Sequence, residues 1–106
     1  MERLSVVVPT YTNATGLHTL IESINNQTIS NITLIVISNG AKYDVSGALK
    51  RHKLVNSKLI QLPRNRFLCA ALNAGVAACR TELVGVVNDD VWLDSNWTKE
   101  VIATFD

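Results

Sequence analysis

Residues 32–37, Ile-Thr-Leu-Ile-Val-Ile, decide the fold of this 106-residue chain. Apolar residues occupy neighbouring positions of the run, so a strand built from it has no polar face to turn toward water. Ser38, Asn39 and Gly40 follow, and these residue types are typical of turns. A strand that is buried on both faces belongs to a parallel sheet covered by helices. The segment therefore predicts an α/β fold.

Similar runs recur on both sides of this segment. They predict strands over 4–8, 59–62 and 83–87, the first ended by Pro9. Apolar residues at helical spacing predict helices between the strands: one begun by Asn13 or Thr15, one over 45–53, one over 68–78, and a last one begun by Asp94 or Ser95. The βαβαβαβα order predicts one three-layer, Rossmann-like domain over 1–106, with a small, mostly parallel sheet of about four strands and helices on both faces.

Composition narrows the class of protein. With 47% hydrophobic and 18% charged residues, the chain is typical of a folded domain rather than a disordered one. Its net charge of +1 gives no indication of a nucleic-acid partner. No apolar run approaches the ~20 residues of a transmembrane segment, and without a secretory signal we expect a cytoplasmic protein. Cys69 and Cys79 would lie about 15 Å apart along a helix, too far to form a disulfide, and are expected to be buried thiols.

The most informative polar residues are Asn88, Asp89 and Asp90, which follow the fourth predicted strand. Neighbouring carboxylates repel each other and need a partner. One interpretation is that an aspartate caps a turn or pairs with Arg64 or Arg66. The other is a hard divalent cation, since Mg²⁺ and Mn²⁺ are commonly held by one or two carboxylates, with water and phosphate oxygens completing the shell. Ligands of open parallel sheets bind beyond the carboxyl ends of the strands, where these residues lie.

Three segments, taken in order, carry a resemblance: SVVVPTYTNATGLHTLIESINNQ, LIVISNGA and LPRNRFLCAALNAGVAACRTELVGVVNDDVWLDSNW. They resemble the amino-terminal half of family 2 glycosyltransferases, which have the GT-A fold. The resemblance implies a nucleotide-diphospho-sugar transferase-like domain. Such a domain would bind a nucleotide-diphosphate sugar through Mn²⁺ or Mg²⁺ arriving with it, for glycosyl transfer to an unknown acceptor.

The resemblance also implies site residues. Those implied for nucleotide-sugar binding are Pro9, Thr10, Tyr11, Ser38, Asn39, Asn65, Asn73, Asn88 and Asp89. The loop after the first strand would contact the base, and Asn88 would stand on the ribose side of a DxD-like motif. Asp90 is the implied metal ligand.

The sequence departs from the family pattern at several of these places. Ser38 stands where an acid commonly reads the base, Phe67 where glycine is frequent, and Leu72 where arginine is frequent. These departures motivate an alternative hypothesis, a non-catalytic GT-A-like module that binds a partner.

The carboxyl-terminal half, which in the family carries the acceptor site and the general base, has no counterpart in this sequence. No residue is an evident candidate for that base, because His18 and His52 fall within helical patterns and are expected at the surface or in packing. A homo-oligomer or a partner chain that completes the fold stays open. A Toprim-like nuclease would need a glutamate after the first strand, and dinucleotide and P-loop folds would need their glycine fingerprints.

Overall fold

The computed structural model describes residues 2–52 and 56–106. Strands and helices alternate in the predicted order: β1 (Leu4–Thr10), α1 (Ala14–Asn25), β2 (Ile32–Asn39), α2 (Val45–Lys50), β3 (Ser57–Leu62), α3 (Phe67–Ala77), β4 (Leu83–Val86) and α4 (Trp97–Phe105). The second helix was predicted to reach Lys53, which lies outside the described residues. Within those residues, every helix is too short or too polar to cross a bilayer.

The sheet is entirely parallel, with the strand order β3-β2-β1-β4. From β1 the chain builds outward to β2 and β3, and it then returns to the other side of β1 to form β4. Strand order therefore reverses beside β1, and a ligand crevice is expected at the carboxyl ends of β1 and β4. The α/β, Rossmann-like prediction is confirmed, and the sheet is all parallel rather than mostly so.

β1 continues through Pro9 to Thr10, so the prediction that Pro9 ends the strand is wrong. Proline cannot donate to a ladder, but it is tolerated where a strand has no neighbour on one side. β4 ends at Val86, opposite Val7, whereas β2 accompanies β1 as far as Thr10. At Pro9 the strand thus has a partner on one side only. The two added residues carry Thr10 to the edge of the sheet where the loops meet.

The core has two parts, one on each face of the sheet. The larger part packs α1, α2 and α4 against side chains that include Leu4, Val6 and Val8 of β1. The smaller part packs α3 against Val7 and its neighbours on β2. Because successive strand residues point to opposite faces, the apolar runs of β1 and β2 supply both parts, as the sequence predicts.

α3 lies very close to the sheet at Gly75. A Cβ atom at this position would collide with Val7 Cγ1 and would come within 2.7 Å of Ile37 Cδ1. The Asn-x-Gly spacing of the sequence therefore has a packing reason, independent of any ligand. Cys69 is exposed on the solvent side of this helix and Cys79 is partly buried. Both thiols are free, as expected, but the expectation that both are buried is wrong for Cys69.

Helix starts follow the sequence only in part. Asn13 caps α1, as predicted, by accepting a hydrogen bond from Gly16 N at 2.9 Å. The last helix begins later than predicted, with Asn96 as its cap. Asp94 instead stabilises the turn before the helix, where its Oδ2 accepts a hydrogen bond from Asn96 N at 2.9 Å.

His18 and His52 form a hydrogen-bonded pair between α1 and the residues after α2. His18 Nδ1 lies 2.8 Å from His52 Nε2, and the ring centroids are 5.1 Å apart. One nitrogen must donate and the other must accept, so at least one of the two rings has to be neutral. Both side chains are half-buried, and the pair serves packing, as predicted.

Buried polar side chains of α1 and of the residues just after it fix the segment that joins β4 to α4. Gln27 Nε2 donates to Asp94 O at 2.7 Å, and Gln27 Oε1 accepts from Thr98 N at 2.8 Å. Ser23 Oγ accepts from Leu93 N at 3.1 Å. The bonds to Leu93 N and Thr98 N satisfy backbone groups that would otherwise be buried without partners. Together the three bonds hold residues 93–98, the part of the segment that leads into α4.

Thr98 provides a test of this packing. Its Oγ1 is buried and has no hydrogen-bond partner within residues 2–52 and 56–106. Valine has the same shape without the hydroxyl, so we expect Thr98→Val to raise the free energy of unfolding by about 1 kcal/mol. Urea unfolding followed by circular dichroism measures this change. Gln27→Leu is the contrasting variant, because it leaves Thr98 N without a partner and should destabilise the domain by about 2 kcal/mol. Equal effects of the two variants would contradict the conclusion that Thr98 Oγ1 is buried without a hydrogen-bond partner.

Candidate functional site

A cleft of about 400 Å³ opens at the carboxyl edge of the sheet. Loops from all four strands contribute to it, as the parallel topology predicts. Its lining residues are Pro9, Thr10, Tyr11, Thr12, Asn13, Asn39, Asn65, Phe67, Leu68, Asn88, Asp89 and Asp90. Most of the residues implied by the sequence resemblance are thus brought together in one place. Thr12, Asn13, Phe67 and Leu68 complete the cleft, although the sequence analysis did not assign them to the site.

A chain of hydrogen bonds anchors Asp89 in this cleft. Thr10 Oγ1 donates to Asp89 Oδ2 at 2.7 Å, and Thr10 Oγ1 and Tyr43 Oη are 2.5 Å apart. Thr10 has a single hydroxyl proton, and its hydrogen bond to the Asp89 carboxylate uses it. Tyr43 must therefore donate to Thr10. The direction of the chain is therefore Tyr43 to Thr10 to Asp89.

Tyr43 must stay neutral for this chain to hold. Burial raises the pKa of the Tyr43 phenol above its ordinary value, and the negative charge of Asp89 adds to the rise. The phenol is therefore protonated at neutral pH. A raised pKa in the folded state gives stability that is complete below the ordinary tyrosine pKa and is lost as the pH rises further. The contribution of Tyr43 would disappear only under alkaline conditions.

The backbone of the Asp89 loop also touches the start of α1. A Cβ atom at Gly16 would lie 2.5 Å from Asp89 O, and it would collide with Asn13 Nδ2. Only a residue without a side chain lets the helix and the loop approach this closely. Gly16 thereby sets the position of Asp89 relative to the helix that carries Asn13.

Asp90 has a different environment from Asp89. Its side chain is exposed at the cleft, as is that of Asn88. The carboxylates do not cap α4, which begins at Trp97 with Asn96 as its cap. Within the described residues the ion pairs join Arg3 to Glu82 and to Asp106, not Arg64 or Arg66 to this loop. The pairing of Asp89 or Asp90 with Arg64 or Arg66 is therefore not found among these residues.

The donor atoms of the loop fit a hard cation in part. Asn88, Asp89 and Asp90 offer carboxylate and amide oxygens, the ligand type that Mg²⁺ and Mn²⁺ prefer. Residues 2–52 and 56–106 contain no group of three or more acidic, histidine or cysteine side chains that could hold a metal ion. These described residues by themselves therefore supply only part of a metal shell. Such a site fits a cation whose remaining ligands are water and the phosphate oxygens of a bound molecule.

Asn39 and Asn65 organise the loop after β3. Asn39 Oδ1 accepts from Arg66 N at 2.9 Å, and its Nδ2 lies 3.3 Å from both Asn65 Oδ1 and Phe67 O. Asn65 Oδ1 accepts from Phe67 N at 2.8 Å. The adjoining Gly40 has a φ of 62°, and a Cβ atom there would collide with the backbone of Arg64 and Asn65. Both polar atoms of the Asn39 side chain and the side-chain oxygen of Asn65 are engaged in holding this loop.

Ser38 and Asn73 lie apart from the other implied site residues. Ser38 is buried and lines a neighbouring cavity of about 440 Å³ between the loops after β2 and β3. Asn73 is exposed on α3 and does not line the cleft. Tyr43, whose contact with Thr10 joins it to the site, was not found from the sequence. A contact across 33 positions leaves no local signal.

Comparisons with known proteins show which family the chain resembles in sequence. Residues 5–106 match the family model described as Glycosyl transferase family 2. EpsH of Bacillus subtilis (strain 168), a protein described as a glycosyltransferase, is 28% identical over 103 residues, which are 95% of this chain and 30% of EpsH. The pre-mycofactocin glycosyltransferase of Mycobacterium tuberculosis (strain CDC 1551 / Oshkosh) is 26% identical over 102 residues, 96% of this chain and 21% of the relative.

Solved structures show the same fold. TarS 1-349 of S. aureus in complex with UDP superimposes with a TM-score of 0.90 at 21% identity, covering 98% of this chain and 32% of that one. The mannosyltransferase PcManGT from Pyrobaculum calidifontis, in complex with GDP-Man and Mn²⁺, superimposes with a TM-score of 0.80 at 22% identity. The match covers 89% of this chain and 29% of that one. The chain spans less than a third of the length of each of these relatives and structures.

Proposed function

The chain belongs to glycosyl transferase family 2, and from that membership we propose that residues 1–106 form one nucleotide-diphosphate-sugar-binding domain of a glycosyltransferase. The observation that carries the proposal is the cleft at the carboxyl edge of the sheet, where Asp89 is anchored by Thr10 and Asp90 is left free. An exposed carboxylate beside an anchored one is an arrangement suited to a cation that brings other ligands with it.

Asp90 is the proposed ligand of Mn²⁺ or Mg²⁺, with Asp89 and Asn88 beside it. When bound, such a cation neutralises negative charge on the diphosphate of a sugar nucleotide. PcManGT, a protein of the same fold, is described in complex with GDP-Man and Mn²⁺. This supports the choice of metal for the present chain.

The remaining implied residues take proposed places around the nucleotide. Pro9, Thr10 and Tyr11 would lie along the base, and Asn88 along the ribose. Asn39 would act mainly through the loop that it holds, since both polar atoms of its side chain are already engaged, whereas Asn65 would also bind the nucleotide sugar. Ser38 and Asn73 rest on the sequence resemblance alone.

The acceptor side is proposed to lie beyond β4. This strand is at the edge of the sheet, and Val84 and Val86 are 41% and 49% exposed. An exposed edge strand with β-branched side chains is expected to be covered by further structure. Further polypeptide that supplies the acceptor site would fit this edge, whether it comes from the same chain, a second copy or a partner. The acceptor itself is unassigned.

Calorimetric titration of UDP- and GDP-linked sugars tests the proposal. We expect one of them to bind in Mn²⁺ with a Kd between about 1 μM and 1 mM, and to bind much more weakly in EDTA. The matched control is the same titration with a sugar 1-phosphate, which lacks the nucleotide. If no nucleotide binds in the presence of metal, the non-catalytic module becomes the preferred function.

A further inference from the structure

Phe67 has an unusual backbone conformation. Its φ is 64°, and it is the non-glycine residue with positive φ in the described part of the chain. Bulky side chains rarely adopt this left-handed conformation, which persists only where surrounding contacts enforce it. Burial does not explain the residue, because Phe67 is 81% exposed. A strained backbone that presents an apolar ring to solvent calls for a functional explanation.

The surroundings hold this conformation from both sides. Asn65 Oδ1 accepts a hydrogen bond from Phe67 N at 2.8 Å, and Asn39 Nδ2 donates to Phe67 O at 3.3 Å. Asn39 is 6% exposed and sits at the end of β2, so it is a fixed support. The backbone of Phe67 is thereby set before any ligand arrives.

The ring stands at one end of the cleft. Phe67 follows β3, whereas Asp90 follows β4, and β2 and β1 lie between them. The hydrogen bond from Asn39 places Phe67 beside the end of β2, which is two strand spacings from β4, about 10 Å. With a diphosphate at Asp90, a nucleotide whose base lies along Tyr11 extends toward the Phe67 end. That end would then receive the base rather than the phosphates.

We propose that Phe67 is a stacking surface for the nucleobase of the bound nucleotide. The proposal rests on the proposed function and adds a specificity-determining residue to it. An aromatic ring stacks on any base, and its loss weakens nucleic-acid binding by about 5- to 100-fold. Because the backbone of Phe67 is already fixed, less conformational entropy is lost when the ring contacts a ligand.

The test is Phe67→Gly, measured for stability and for binding. Glycine adopts positive φ without strain, so we expect the melting temperature to rise by about 3 °C. We expect the affinity for the bound nucleoside diphosphate in Mn²⁺ to fall by about tenfold. Affinity for inorganic pyrophosphate in Mn²⁺ should stay unchanged, because pyrophosphate has no base. Phe67→Tyr keeps the ring and should bind the nucleoside diphosphate within about twofold of the wild type. Phe67→Leu keeps an apolar side chain without a ring, and its affinity for the nucleoside diphosphate should fall as that of Phe67→Gly does.

Each of the following outcomes would overturn the proposal. An unchanged affinity of Phe67→Gly in a chain that binds nucleotide would reject the proposal while leaving the proposed function intact. A loss seen with the nucleotide sugar but not with the nucleoside diphosphate would place Phe67 against the sugar. A lower melting temperature would show that the ring is a packing residue. Absence of nucleotide binding by the wild type would reject the proposed function and this proposal with it.

Discussion

Replacing Asp90 by asparagine should remove the metal dependence of nucleotide binding while leaving the fold intact. The substitution keeps the shape of the side chain but removes the charge that a hard cation requires. Mutation of a residue that only hydrogen-bonds to a metal ligand typically lowers metal affinity by about 10–100-fold. Loss of the ligand itself should therefore lower it by at least about 100-fold. Asp90 is exposed, and the free energy of unfolding should therefore change by less than about 0.5 kcal/mol.

Isothermal titration of the nucleotide in Mn²⁺ and in EDTA measures the effect. Asp94→Asn is the matched control, since Asp94 is an exposed aspartate in the same segment that does not line the cleft. Its acceptor role toward Asn96 N can be taken over by the amide oxygen of asparagine. We expect the control to bind as the wild type does. Retention of Mn²⁺-dependent affinity by Asp90→Asn would refute the role of Asp90 and leave Asp89 as the remaining carboxylate candidate.

The element order was predictable because burial on both faces leaves a clear mark in a strand sequence. Residues 32–37 show this mark, and the strand covers them. The exact ends were less predictable, because they depend on neighbours. Pro9 stays within β1 only because β4 stops at Val86, and the start of α4 depends on buried contacts from Gln27. Both effects join positions far apart in the chain.

The location of the site was predictable for a similar reason. Parallel topology brings the ends of all four strands to one edge, and because β4 lies beside β1, Thr10 and Asp89 are neighbours there. What the side chains do there was not predictable. Tyr43 reaches Thr10, and Asn39 holds the loop after β3, through contacts that have no sequence pattern. The exposure and backbone strain of Phe67 likewise appear only in three dimensions.

Gly16→Ala should lower both the stability of the domain and its affinity for the metal-bound nucleotide. Inside a helix this change is ordinarily favourable by about 1 kcal/mol. Here the added Cβ would lie 2.5 Å from Asp89 O, a backbone atom that cannot move without displacing the loop. We expect a net destabilisation of about 1–2 kcal/mol, the usual size of an overpacking effect after the gain in helix propensity. Because the loop carries Asp89 and Asp90, the affinity in Mn²⁺ should fall by about tenfold.

Gly47→Ala isolates the contact responsible for this effect. Gly47 occupies the same position in α2 as Gly16 does in α1, the third residue after a cap whose side chain accepts from its N–H. In both helices a new Cβ would meet the cap side chain, but only at Gly16 would it also meet the backbone of Asp89. The control should therefore be neutral or slightly stabilising and should bind nucleotide as the wild type does. Urea unfolding and titration in Mn²⁺ of both variants give the comparison. If the two substitutions have equal effects, the cap side chains are responsible, and the close approach of α1 to the Asp89 loop does not position the metal ligands.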